Sequence, residues 1–189
     1  MKIKATPGKD KVVVELESKD VAMPLSLPFK LQRILVPVDF SETAKKALQY
    51  ALPFAKAFDA ELVLVYVIQS YSLPPEIGYV PPELLVNQGD FIHSAREELD
   101  KWRAREIGGR ARAQARVCEG VPWQEVVTVA RETNADLIIM ATHGLTGLKH
   151  ALLGSVTERV ARHAPCPVLV VRERERDFVS PAPKVEAPV

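Results

Sequence analysis

Four stretches of the 189-residue chain are almost continuously apolar. They are RILVPVD (Arg33–Asp39), ELVLVYVI (Glu61–Ile68), ADLIIMA (Ala135–Ala141) and PVLVVR (Pro167–Arg172). Short runs of this kind predict strands covered on both faces, as in a parallel sheet. A weaker run, RAQARVC (Arg112–Cys118), alternates and predicts an edge strand. Between the runs, apolar residues recur at three- and four-residue steps, the spacing of one helix face. Ala44, Ala47, Leu48, Ala51, Ala55 and Phe58 form the first stripe, and Phe91, Ile92, Ala95, Leu99 and Trp102 the second. Val126, Val127 and Ala130 form a third, opened by Pro122, which suits a first helical turn. Ser155–His163 forms a short fourth, stopped by APCP. Pro53 falls inside the first stripe, removes a backbone donor, and is expected to kink or split that helix.

Strand and helix alternate and the series ends on a strand. That order predicts an α/β fold: an open, doubly wound, Rossmann-like parallel sheet with right-handed crossovers and helices on both faces. An antiparallel α+β arrangement fits less well, because each connection is long enough for a helix and no Asn-Gly hairpin turn occurs. The expected organisation is an extension over residues 1–30, an α/β domain over 31–172, and a charged, Pro-rich disordered tail over 173–189. The extension contains KVVVELE, whose alternation suits an added edge strand or a loose arm. The loop Ser70–Pro82 is long and proline-rich, as lids and contact surfaces often are.

Composition narrows the function classes. A net charge of +1 gives no bulk attraction to nucleic acid or an anionic membrane. No apolar run approaches the ~20 residues of a membrane span, and MKIKATPGKD lacks a signal peptide's apolar stretch. Cys118 and Cys166 have no metal-like spacing and read as free thiols, small and buried, in a reducing cytoplasm.

Ligands of such sheets sit beyond the carboxyl ends of the strands, where strand order reverses. Two strand exits carry informative residues. The first is PVDFSE, with Asp39 at its turn. The other is MATHG, which leads into the loop ATHGLTGLKHALLGSVTERV (Ala141–Val160). Gly144, Gly147 and Gly154 allow close backbone approach, and a helix opening near Ser155 would offer free N–H groups to an anion. His143, Lys149 and His150 could add positive charge. The plainer alternative is a capping box, with Ser155 as N-cap and Glu158 three residues on. Asp39 likewise reads either as a ligand to a ribose or base edge or as a helix cap, with Ser41 competing for the cap.

Three segments together, ILVPVDFSETAKKALQYA, DLIIMATHG and GSVTERVARHAPCPVLVVR, resemble the universal stress protein family over Gln32–Arg172 in one register. The resemblance implies a five-stranded parallel sheet and a homodimer formed through the last strand, here Pro167–Arg172. One branch of that family binds ATP through Gly-x2-Gly-x9-Gly-Ser/Thr. The register here gives Ala141, Gly144, Gly154 and Ser155, so alanine replaces the first glycine. An added methyl could crowd the ligand, and would be strained if the position required positive φ. By the same resemblance Pro37, Val38 and Asp39 line the adenine and ribose side, and Val67 and Met140 flank the base. Gly144, Gly154, Ser155 and Val156 hold the phosphates, with His143 close by and Mg2+ as an accompanying ion. For Val67 and Met140 ordinary core packing is the alternative.

No catalytic constellation stands out. His93, His143, His150 and His163 are scattered, with His93 and His163 on helices, and Asp39 is the one strand-end carboxylate placed near the site. Phosphoryl transfer needs a metal carboxylate and a residue to position water, so slow ATP hydrolysis is the most that is expected. The resemblance implies a cytoplasmic, ATP-binding regulatory dimer. The alternative is a nucleotide-free interaction module of the same fold that docks a protein partner.

Overall fold

A computed structural model of the chain describes residues 2–3, 14–15, 30–69, 88–142, 153–173 and 175. The chain divides into two units, Met1–Lys30 and Leu31–Val189. In the first, β1 (Lys2–Ile3) pairs antiparallel with β2 (Val14–Glu15), as a sheet of its own. Of the KVVVELE stretch the described residues are Val14–Glu15, and these pair with Lys2–Ile3.

The second unit runs β3 (Arg33–Pro37), α1 (Glu42–Phe58), β4 (Glu61–Gln69), α2 (Gln88–Ile107), β5 (Ala113–Gly120), α3 (Pro122–Glu132), β6 (Leu137–Ala141), α4 (Ser155–His163) and β7 (Val168–Val171). The five strands are parallel, in the order β5-β4-β3-β6-β7. The alternating Arg112–Cys118 segment lies in β5, at one edge, as its pattern predicts; β7 forms the other edge. The chain builds outward from β3 to β4 and β5, then returns to the far side of β3 for β6 and β7. The topological switch point therefore lies between β3 and β6.

Each strand divides its side chains between two cores, because successive residues point to opposite faces. Ile34, Val36, Leu62 and Leu64 pack with Ala47, Leu48 and Ala51 of α1 and Leu99, Trp102 and Ile107 of α2. Leu35, Val63, Val65, Ile138 and Met140 pack on the other face with Val126, Val129 and Ala130 of α3 and Val160 of α4. Each fully buried Leu or Ile in these layers contributes about 1.5–3 kcal/mol. Helices thus cover both faces, which explains why the central strands are apolar without alternation.

Three expectations need correction. Pro53 does not split α1, which is continuous from Glu42 to Phe58. The proline ring is tolerated on a helix whose buried stripe, from Ala44 to Ala55, binds it to the sheet on both sides of the missing donor. The second stripe begins at Ala95 rather than at Phe91, since Phe91 and Ile92 are 68% and 38% exposed. Ala95, Leu99, Trp102 and Ile107 make the contact. The two cysteines are free but only half-buried, at the margin of the α3/α4 core. Burial pushes both thiols up, with help from Glu125 and Glu132 at Cys118 and from Asp136 at Cys166.

Candidate functional site

The hydrogen-bond ladder of β3 differs on its two sides. Against β4 it pairs along its whole length, from Arg33↔Glu61 to Pro37↔Val65. Against β6 it pairs only at Ile34↔Leu137 and Leu35↔Ile138. Past those residues each strand follows its outer neighbour. Val38 N–H donates to the Val65 carbonyl of β4 at 2.8 Å, and Thr142 N–H donates to the Val171 carbonyl of β7 at 3.0 Å. The carboxyl ends of β3 and β6 therefore leave their shared ladder at the switch point, the place where such sheets hold ligands in a crevice.

The β3 side of this crevice is Pro37, Val38 and Asp39. Val38 is buried in the α1/α2 core, while Pro37 and Asp39 are half-buried. Ser41, and not Asp39, caps α1: its Oγ accepts the Ala44 N–H at 3.1 Å. Asp39 in turn holds Ser41. Its Oδ1 accepts from Ser41 Oγ at 2.5 Å and from Ser41 N–H at 3.1 Å. Because the Ser41 proton goes to Asp39, Thr43 Oγ1 is the donor in its 2.8 Å contact with Ser41 Oγ. The carboxylate is thus oriented at the crevice mouth by the cap rather than serving as the cap. Between these two residues Phe40 takes φ +63°, a left-handed conformation that costs a bulky residue about 1–2 kcal/mol. Its ring lies 4.8 Å from that of Tyr66 and 6.4 Å, edge-on, from that of Trp102.

The β6 side is Met140 and Ala141. Met140 is buried against the α3/α4 core, with half-buried Val67 of β4 and Val156 of α4 packed on the same core. Ala141 pairs with Val171 inside β6, and its φ is not positive. An alanine is therefore unstrained where the ATP-binding pattern has its first glycine. Its methyl packs against the α1/α2 core.

The chain leaves β6 at Thr142 and returns at Gly154, whose N–H donates to the Thr142 carbonyl at 2.8 Å. Gly154 is the N-cap of α4, with φ −67° and ψ 151° and no side-chain cap. The capping box read from SVTE does not form. Ser155 is the first helical residue and is exposed, and Glu158 pairs with Arg162 at 2.7 Å. Gly before Ser shifts the start by one residue, because an extended backbone at Gly154 already provides the cap geometry. As at any helix start, the N–H groups of Ser155, Val156 and Thr157 have no intrahelical acceptor. Thr157 fastens this start to the sheet: its Oγ1 donates to the Ala141 carbonyl at 2.9 Å and reaches the Thr142 carbonyl at 3.2 Å.

Pro37, Val38 and Asp39 lie at the carboxyl end of β3, Met140 and Ala141 at that of β6, and Gly154, Ser155 and Val156 at the start of α4, whereas Val67 lies near the end of β4, on the other side of β3. His143 and Gly144 lie outside the described residues, as does the proline-rich loop Ser70–Pro82. His93 and His163 sit on α2 and α4, in contact with Glu97 and Trp123 respectively. Sequence reasoning missed Phe40 and Thr157. No local signal marks a left-handed phenylalanine. A threonine in a first helical turn is too common to single out.

Residues 30–172 match the profile of the Universal stress protein family. The chain is 36% identical over 151 residues to Universal stress protein MJ0531 of Methanocaldococcus jannaschii, covering 77% of this chain and 85% of that protein. Universal stress protein UspA from Lactobacillus plantarum superposes with a TM-score of 0.64 at 28% identity, over 76% of this chain and 99% of that one. A universal stress protein solved in complex with cAMP superposes with a TM-score of 0.54 at 26% identity, over 76% of this chain and 98% of that one. With the family profile matched over residues 30–172 and this extent of similarity, the chain belongs to the universal stress protein family.

Proposed function

We propose that this protein binds an adenine nucleotide, ATP with Mg2+, as a regulatory ligand in the crevice between β3 and β6. The observation that carries the reading is the parting of these two strands after Leu35 and Ile138. It opens a space whose one wall ends in an oriented carboxylate and whose other wall ends in a helix start. Asp39 accepts hydrogen bonds from the ribose, and Val67 and Met140 contact the base. The N–H groups of Ser155 and Val156, with the Ser155 hydroxyl, take the phosphates, and Gly154 lets the ligand approach that helix start closely. His143 and Gly144 complete the phosphate side, and Mg2+ is carried on the phosphates. The cAMP complex of a relative supports an adenine nucleotide as the ligand class. Ala141 is compatible with it, because its strand backbone leaves the replaced glycine without strain.

The regulatory unit is a homodimer paired through Pro167–Arg172. β7 is an edge strand whose Val168, Leu169 and Val170 are half-buried, and such an edge favours pairing with a second copy. The free thiols Cys118 and Cys166 suit a reducing cytoplasm.

Calorimetric titration with ATP and Mg2+ tests the reading, with Gly154→Val as control. The φ of −67° at Gly154 admits valine, so the variant is expected to fold. Saturable heat that the variant loses is the expected result. No heat up to about millimolar ATP, equivalent to binding worth only ~4 kcal/mol, would rule the nucleotide out.

A further inference from the structure

The turn out of β3 is anchored to three different elements in three successive residues. Val38 is bonded to β4 through the Val65 carbonyl. Asp39 is bonded to Ser41, the cap of α1. Phe40 lies with its ring against Tyr66 of β4 and edge-on to Trp102 of α2. Its backbone is left-handed, at φ +63°, a conformation that a phenylalanine keeps only when its surroundings impose it. Those two rings stand in its surroundings, within the core on which Phe40 packs. Trp102 is 3% exposed and Leu99, one turn earlier on α2, is fully buried, so the tryptophan is a fixed abutment. A side chain that lost this clamp would let φ return to negative values. The peptide between Asp39 and Phe40 would then rotate, and the Asp39 carboxylate would leave the direction it now holds.

We propose that Phe40 is a positioning residue for the nucleotide. Its clamped ring holds Asp39 toward the ribose and couples occupancy of the crevice to α2 through Trp102. The inference rests on the nucleotide reading above. It adds a residue that contacts no ligand itself, and a route by which binding reaches a helix on the outer face of the sheet.

The test uses the full chain carrying Trp123→Phe, which leaves Trp102 as the one tryptophan of the two in the sequence. ATP with Mg2+ is titrated by calorimetry and by tryptophan emission on the same samples. The expected result is a saturating change in Trp102 emission with the calorimetric midpoint. Phe40→Leu is expected to weaken binding about tenfold, the loss that follows from misaligning one hydrogen bond to a charged group, and to abolish the emission change. Phe40→Tyr, which keeps the ring, should retain both. Phe40→Gly separates ring from backbone. Glycine adopts φ +63° freely, so the fold is relieved of strain while the clamp is gone, and binding should weaken as in Phe40→Leu. Urea unfolding of each variant shows whether it is folded, and Phe40→Tyr and the parent carry the test if Phe40→Leu is not. Parent-like affinity in Phe40→Gly, or a silent Trp102 while heat shows binding, overturns the inference and leaves the nucleotide reading standing. Absence of heat in the parent overturns the nucleotide reading, and the positioning role falls with it.

Discussion

The two strands that flank the crevice leave the sheet by different means. The exit of β3 is built from side chains. Asp39, Phe40 and Ser41 each hold a neighbour through a carboxylate, a ring or a hydroxyl. Among the described residues, the exit of β6 is held largely by backbone. Gly154 N–H closes the returning chain on the Thr142 carbonyl, α4 starts with no side-chain cap, and one hydroxyl, that of Thr157, secures the junction. The difference assigns different tasks to the two walls. Side chains in fixed directions can tell one ligand edge from another. Main-chain N–H groups recognise negative charge and little else.

The largest effect should come from removing the side-chain fastening that Thr157 supplies on the wall at β6. Thr157 is only 3% exposed, and its hydroxyl serves the carbonyls of Ala141 and Thr142. Thr157→Val keeps the shape and deletes the donor, so it should destabilise the chain by about 1–3 kcal/mol. Thr157→Ser should recover most of that. Urea midpoints of the three proteins provide the check. A Thr157→Val midpoint equal to the parent's would mean that α4 is held by core packing alone.

Breaking the side-chain wall should be less costly for the fold. Ser41→Ala removes the α1 cap, a loss of about 1 kcal/mol in chemical unfolding. It also frees Asp39 from the hydroxyl that orients it, so ATP affinity should fall in parallel. A stability loss without an affinity loss would show that the direction of Asp39 does not depend on the Ser41 hydroxyl.

Most of the fold was legible because its signals are long and repeated. Four apolar runs and four helical stripes, read in order, give the sheet and both of its layers. The strand ends where such sheets hold ligands followed from that order, with Asp39 at the exit of β3 and Gly154 before the helix that follows β6. What remained hidden depended on contacts between distant residues. Phe91 and Ile92 continue the α2 stripe in sequence, but the core that the stripe faces begins only at Ala95. SVTE has the letters of a capping box, yet the helix starts one residue earlier, and Glu158 turns to Arg162. The strain at Phe40 is visible only when Tyr66 and Trp102, far along the chain, are seen around its ring.

The surface against which Phe40 rests can be loosened by acid. Glu106, near the end of α2, contacts Arg105 at 2.7 Å and Lys45 of α1 at 3.4 Å. Burial raises its pKa, but the hydrogen bonds and charges of Arg105 and Lys45 outweigh that and leave it below the ordinary carboxylate value. The folded state therefore favours the ionised form. The resulting stabilisation is complete above the ordinary carboxylate pKa and is lost as pH falls through the lowered one. Glu106→Gln should cost about 0.5–1 kcal/mol at neutral pH, given the partial exposure of Lys45, and the gap to the parent should close in acid. Urea midpoints at the two pH values would show it. A gap that persists in acid would assign the loss to packing.

The smallest change in stability gives the sharpest separation of the two readings of α4's start. Gly154 has extended backbone angles that serine adopts without strain. Gly154→Ser would supply the side-chain cap that the helix lacks, with its hydroxyl accepting from the N–H of Val156 or Thr157. The gain should be about a few tenths of a kcal/mol, the usual difference between serine and glycine at an N-cap. That same hydroxyl takes a donor which a phosphate would use, so ATP should bind more weakly even though the protein is more stable. Gly154→Asp should carry the contrast further, because its charge suits the helix dipole and repels the phosphates. If the helix start is only a cap, stability rises and affinity does not move. If it is a phosphate site, the two measurements move in opposite directions, and no general loosening of the fold can produce that result.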